Sequence, residues 1–137
     1  LVIACDTLVY AEGEFLGKPR DREDAVRMMK LLSGKEHSVI SGVYLWYSRK
    51  EATCFAETKV SFDGIADCVI ESYVDTPEPY DKAGAYAIQG TASIFISGIK
   101  GDYFNVVGLP VNALCNTLKE KFEIDISLNN LHCKSGY

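Results

Sequence analysis

Two extended stretches, SVISGVYLWYS (38–48) and CFAETKVSF (54–62), flank a polar SRKEAT, and this pairing constrains the fold more than anything else in the chain. Such runs of β-branched and aromatic residues joined by a short polar segment predict a hairpin. In the second run Ala56, Thr58, Val60 and Phe62 share one face while Glu57 and Lys59 share the other. That period of two belongs to a half-buried strand.

The segments around the hairpin alternate in type. LVIAC is a short apolar run ending at an acid and reads as a buried strand. EGEFLGKPR reads as a turn-rich loop, and DREDAVRMMKLLSG as a helix. Asp21 is placed to cap that helix, with Asp24 at the capping-box position, and Gly34 to stop it. Ala25, Met28, Met29 and Leu32 form its apolar stripe, a core stripe by spacing. DCVIESYV reads as a short helix capped by Asp67. SIFISGIKGDYFNVVG reads as two strands about a Gly-Asp turn. Pro110 then opens a last helix with Val111, Leu114, Cys115, Leu118 and Phe122 inward. The chain is expected to be one α/β domain over residues 1–126, followed by a frayed polar tail, 127–137.

Composition narrows the function. At 137 residues, 47% apolar and 24% charged, the chain has the make-up of an ordinary globular domain. Its net charge of −5 gives no electrostatic case for a nucleic-acid backbone or an anionic membrane as partner. No apolar run approaches the ~20 residues of a membrane span. LVIAC has neither a basic region before it nor a cleavage-site pattern, which argues against a secretory signal. The five cysteines, Cys5, Cys54, Cys68, Cys115 and Cys133, are scattered and form no CxxC pair. They read as small buried hydrophobes in a reducing, cytoplasmic compartment. LVIACDTLVY begins in mid-strand without a Met, as a fragment would.

Three places hold residue types suited to chemistry. Asp6-Thr7 follows LVIAC, and a carboxylate at the end of a buried strand faces the crevice where α/β folds bind ligands. Position alone equally allows Asp6 to cap a turn. GEFLGKP (13–19) is not a P-loop: three residues separate its glycines where four are needed, and Pro19 stands where Ser or Thr would meet magnesium. Lys18 could meet a phosphate as a point charge or simply be solvated. EPYDKAGAYAIQG (78–90) places Glu78, Asp81, Lys82 and Gln89 around a run of small residues. Two carboxylates beside a cation suit a divalent metal shared with phosphates, and small residues let a ligand approach the backbone. A polar loop with a salt bridge would have the same composition. His37 and His132 lie apart from these places and read as bystanders, so no Ser-His-Asp or Cys-His system is formed.

Taken in order, ACDTLVY, LGKPRDREDA, LLSGKEHSVISGV, ETKVSF, EPYDKAGAYAIQG and GDYFNVVGLP resemble the Maf nucleotide pyrophosphatases over residues 1 to about 122. The resemblance implies an elongated mixed β-sheet flanked by helices. It also implies hydrolysis of nucleoside triphosphates to the monophosphate and pyrophosphate with a divalent cation, Mg or Mn. Asp6 resembles the family's general base, and Thr7 and Gln89 its nucleotide-reading residues. Lys18, Lys82, Glu78 and Asp81 fall in pocket motifs, where chemistry suggests the lysines for substrate and the carboxylates for metal. Asp-Thr and Ile-Gln-Gly are similar to the branch that prefers dTTP and UTP. The family's opening strand and its Ser-Pro-Arg-Arg segment would precede Leu1, and Cys5 replaces its usual small residue.

A metal-dependent triphosphate pyrophosphatase is therefore the leading expectation, with a nucleoside triphosphate as partner, no nucleic acid and no membrane. A non-catalytic nucleotide-binding module or truncated pseudoenzyme is the alternative, separated from it by binding without turnover. An exposed strand or helix would allow a homodimer.

Overall fold

The hairpin that dominates the sequence dominates the computed structural model, which describes residues 1–126. β3 (Glu36–Tyr47) and β4 (Lys50–Phe62) pair antiparallel from Glu36↔Ser61 to Tyr47↔Lys50. The turn is tighter than SRKEAT suggests: only Ser48 and Arg49 lie outside the ladder, at φ 50° and 66°. Two successive positive φ values match the twist of the flanking strands, so the ladder extends right up to the turn.

β1 (Val2–Ala11) lies against β3, with Thr7 opposite Ser41. On its other side β2 (Glu14–Leu16) pairs only Val9 to Ala11. β5 (Ile96–Lys100) closes the far edge, giving the order β2-β1-β3-β4-β5 with every pairing antiparallel among the described residues. The expected α/β architecture, a sheet flanked by helices, is present, and its helices cover one face of the sheet. His37, Val39, Ser41, Val43 and Leu45 of β3 are buried on that face. The other face exposes Leu8, Tyr10, Tyr44, Trp46 and Phe55, with Phe55 at 72%.

α1 (Arg22–Leu32) and α2 (Asp67–Val74) cover one end of the covered face. Asp21 caps α1 through Asp24 N–H, and Ala25, Met28, Met29 and Leu32 are buried as the spacing predicts. Burying each of the larger side chains contributes about 1.5–3 kcal/mol. α3 (Tyr103–Val107) crosses the middle of the face. α4 (Val111–Phe122) covers the other end, packing Leu114, Leu118 and Phe122 on Val43 and Leu45. No helix among the described residues is long and apolar enough to cross a membrane.

Several local expectations are revised. LVIAC is not a buried strand end: Val2 and Ile3 are exposed at 52% and 44%, because only β3 flanks this half of β1. Pairing with β3 as far as Tyr10, and with β2 at Ala11, carries the strand on past Asp6, which lies in mid-strand. Within EGEFLGKPR, Glu14–Leu16 form β2 rather than loop, with Glu12 and Gly13 as the turn before it. Asp67 begins α2 instead of capping it, and its carboxylate pairs with Lys30 at 3.4 Å. DYFNVV is helix α3, not strand, because the Asp102 carboxylate accepts Phe104 N–H at 2.8 Å and Gly108, at φ 130°, ends the turn. In α4, Val111 faces outward at 40% exposure and Cys115 is only partly buried. The 127–137 tail lies outside the described residues.

Candidate functional site

β1 builds the first wall of the site. Consecutive strand residues face opposite sides of a sheet, so Thr7 faces the helix-covered side and Asp6 the open one. Thr7 N–H points to the edge of β1 that β2 does not reach, and there it donates to Asp6 Oδ1 at 2.9 Å. The carboxylate is thereby held over the sheet edge. Asp6 lines both a cavity of about 610 Å³ on the covered side and a shallower hollow on the open side.

Two loops form the second wall. The 13–19 loop is anchored by Asp24, whose carboxylate accepts Arg20 N–H at 3.0 Å and the Arg20 and Arg27 guanidinium groups. The Arg20 amide, helped by both guanidinium groups, holds Asp24 below the usual carboxylate range. Gly17 O in turn accepts Gly84 N–H at 3.1 Å, joining this loop to the turn that follows Lys82. Gly84 sits at φ +71°, and a Cβ there would lie 2.9 Å from the Val9 side chain. Glycine is needed for both reasons: the left-handed backbone and the close approach to β1.

The cavity gathers Asp6, Thr7, Lys18, Asp81, Lys82 and Gln89 from three separate stretches of sequence. Its volume is in the range of small-molecule sites. Asp81 and Lys82 pair at 3.3 Å, both substantially exposed, so the pair adds little stability and is free to exchange with a ligand. Glu78 does not line the cavity: its two oxygens accept Thr91 N–H at 2.6 Å and Ala92 N–H at 3.1 Å. A Cβ on Gly90 would lie 1.6 Å from Glu78 Oε1, so the neighbouring glycine makes room for this carboxylate.

No group of three or more His, Cys, Asp or Glu suited to a metal ion occurs among the described residues. The cavity's carboxylates are Asp6 and Asp81. That donor set fits a magnesium-like ion that takes one or two carboxylates and completes its shell with phosphate oxygens and water.

The sequence reading missed four contributors. Cys5 Sγ donates to Gly108 O at 3.1 Å, and burial, reinforced by the Asp6 carboxylate, pushes its thiol up. Tyr86 lines the cavity and meets His37 Nε2 at 2.7 Å through its hydroxyl. Burial lowers His37 to about 4, keeping it neutral, and raises Tyr86 well above the usual phenol range. Ser41 and Asn105 lie directly behind Thr7. The one legible signal was Asn105, a lone amide within the apolar run YFNVV.

A family profile described as Maf-like protein matches residues 1–121. The chain belongs to the Maf family. The dTTP/UTP pyrophosphatase of Carboxydothermus hydrogenoformans is 52% identical over 122 residues, covering 88% of this chain and 66% of that relative. The dTTP/UTP pyrophosphatase of Caldanaerobacter subterraneus subsp. tengcongensis is 49% identical over 90% of this chain and 61% of its own length. That of Thermosipho africanus is 43% identical over 96% of this chain and 69% of its own. The Maf chain described here thus spans roughly two thirds of the length of these relatives.

Proposed function

We propose that this Maf domain hydrolyses nucleoside triphosphates, dTTP and UTP foremost, to the monophosphate and pyrophosphate. One observation carries the reading: a single cavity combines a carboxylate held at a sheet edge, two lysines, and the hydroxyl and amide of Thr7 and Gln89. The names of relatives 43–52% identical to the chain point to the same reaction.

Asp6 acts as general base. One of its oxygens is fixed by Thr7 N–H, and no protein partner holds the other among the described residues. It takes the proton of a water that attacks the α-phosphorus. The bond from that phosphorus to the bridging oxygen breaks, and pyrophosphate leaves with the bond's electrons. Lys18 and Lys82 bring positive charge to a chain whose net charge of −5 would otherwise repel the triphosphate. A divalent cation, when bound, supplies further charge neutralisation. Asp81 is the residue proposed to hold it, while Glu78, engaged by Thr91 and Ala92, organises the loop. Thr7 and Gln89 read uracil or thymine, whose N3–H lies between two carbonyls. The free cysteines Cys5, Cys54, Cys68 and Cys115 suit the cytoplasm.

Asp6→Asn tests the assignment. Loss of a general base lowers the rate about 10²–10⁴-fold. Pyrophosphate release at the parent rate would overturn the role given to Asp6. Binding of dTTP with no turnover by the parent protein would instead make the domain a nucleotide-binding module.

A further inference from the structure

Thr7 lines the cavity, and the hydrogen-bonding sense of its hydroxyl follows from what lies behind it. Thr7 Oγ1 and Ser41 Oγ are 2.8 Å apart, a distance that leaves open which one donates. Ser41 is fully buried and also lies 3.1 Å from Asn105 O, which can only accept. Each hydroxyl has a single proton. If Ser41 donates to Asn105 O, then Thr7 donates to Ser41, and both short contacts are made. If Ser41 donates to Thr7 instead, the Thr7 proton is left with Gly108 O at 3.5 Å, a marginal distance, and Ser41 makes no bond to Asn105. The first arrangement therefore prevails.

Asn105 is held rigidly enough to impose this choice. It is fully buried, and its Nδ2 donates to Val39 O at 3.0 Å and to Thr58 Oγ1 at 2.9 Å. Thr58 Oγ1 in turn donates to Asp102 O and accepts Asp102 N–H. One amide thus locks α3 onto β3 and β4, and with them the carbonyl that claims the Ser41 proton.

We propose that Ser41 and Asn105 are positioning residues that lock Thr7 as a hydrogen-bond acceptor toward the cavity, so that the ligand atom seated on it must be a donor. This rests on the nucleotide reading given above. Under that reading the donor is the N3–H of uracil or thymine, with Gln89 left to donate to a flanking carbonyl. Cytosine, which presents a bare N3 there, is rejected.

The proton position is measured directly by neutron diffraction on deuterated crystals of the 137-residue chain. The expected map carries the Thr7 deuteron on the line to Ser41 Oγ and the Ser41 deuteron on the line to Asn105 O. A Thr7 deuteron pointing into the cavity would overturn the proposal, whether or not the protein is an enzyme. The functional arm compares kcat/KM for UTP and CTP in the parent, Ser41→Ala, Thr7→Val and the double variant. With Ser41→Ala the freed Thr7 proton can serve the cytosine N3, and the UTP:CTP ratio falls roughly tenfold, the range for relieving one unpaired buried acceptor. In the Thr7→Val background Ser41→Ala leaves the ratio unchanged, which a purely structural role of Ser41 would not produce. An unaltered ratio in Ser41→Ala, or preference of the parent for CTP, would refute the proposal. Absence of turnover of both nucleotides by the parent would refute the pyrophosphatase reading alone, with the neutron map still deciding the proton.

Discussion

Replacing Glu78 by Ala removes two carboxylate–amide hydrogen bonds, to Thr91 N–H at 2.6 Å and Ala92 N–H at 3.1 Å. A hydrogen bond to a charged group contributes about 1.5–3 kcal/mol net. Glu78 is half-buried and Thr91 exposed, which puts both bonds at or somewhat below the lower end, for a total loss of about 2–3 kcal/mol. With a urea slope near 2 kcal/mol/M, the unfolding midpoint should fall by about 1–1.5 M. Gly90→Ala should reproduce much of this loss by a different route. Gly90 has φ −101°, which alanine adopts freely, so its only new burden is the Cβ placed 1.6 Å from Glu78 Oε1. Both variants are to be unfolded in excess chelator, where a carboxylate that served only as a metal ligand would contribute nothing. Stability within about 0.5 kcal/mol of the parent for Glu78→Ala, together with weakened activation by Mg²⁺, would refute the structural role and return Glu78 to the metal.

His37 predicts a loss of stability in acid. Its folded value of about 4 lies below the ordinary 6.5, so the unfolded chain binds the proton first. The contribution is complete above pH 6.5 and is lost as pH falls toward 4, about 3 kcal/mol in all; a His37→Gln variant whose urea midpoint falls with pH as steeply as the parent's would count against it. Exchanging Ser48-Arg49, both at positive φ, for Asn-Gly should stabilise the hairpin by about 1 kcal/mol, read from the same unfolding curves, and no gain would mean that the turn differs from the one described. Activity should vanish in chelator and return with Mg²⁺ or Mn²⁺, and full turnover without a divalent ion would remove Asp81 from its proposed role.

What the sequence determined by itself was whatever depends on neighbours along the chain. The α1 stripe Ala25, Met28, Met29 and Leu32 and its Asp21 cap are legible because helix periodicity and capping act over three or four residues. The alternation of β4 is legible for the same reason, and so were the motifs that carry the family resemblance. Tertiary structure decided where those motifs meet. Tyr103, Phe104, Val106 and Val107 are β-forming residues, yet the segment is helical: beyond the local Asp102 cap, Asn105 finds Val39 O and Thr58 Oγ1 beneath it. Glu78 and Asp81 are three residues apart and chemically alike, but one is turned to backbone amides and the other lines the cavity. Ser41 comes to lie behind Thr7 only through the β1–β3 register, a pairing across 34 residues. A carboxylate or hydroxyl offers the same groups wherever it stands in a sequence. Its role is assigned by the partners that folding brings within about 3 Å, and those partners come from distant parts of the chain.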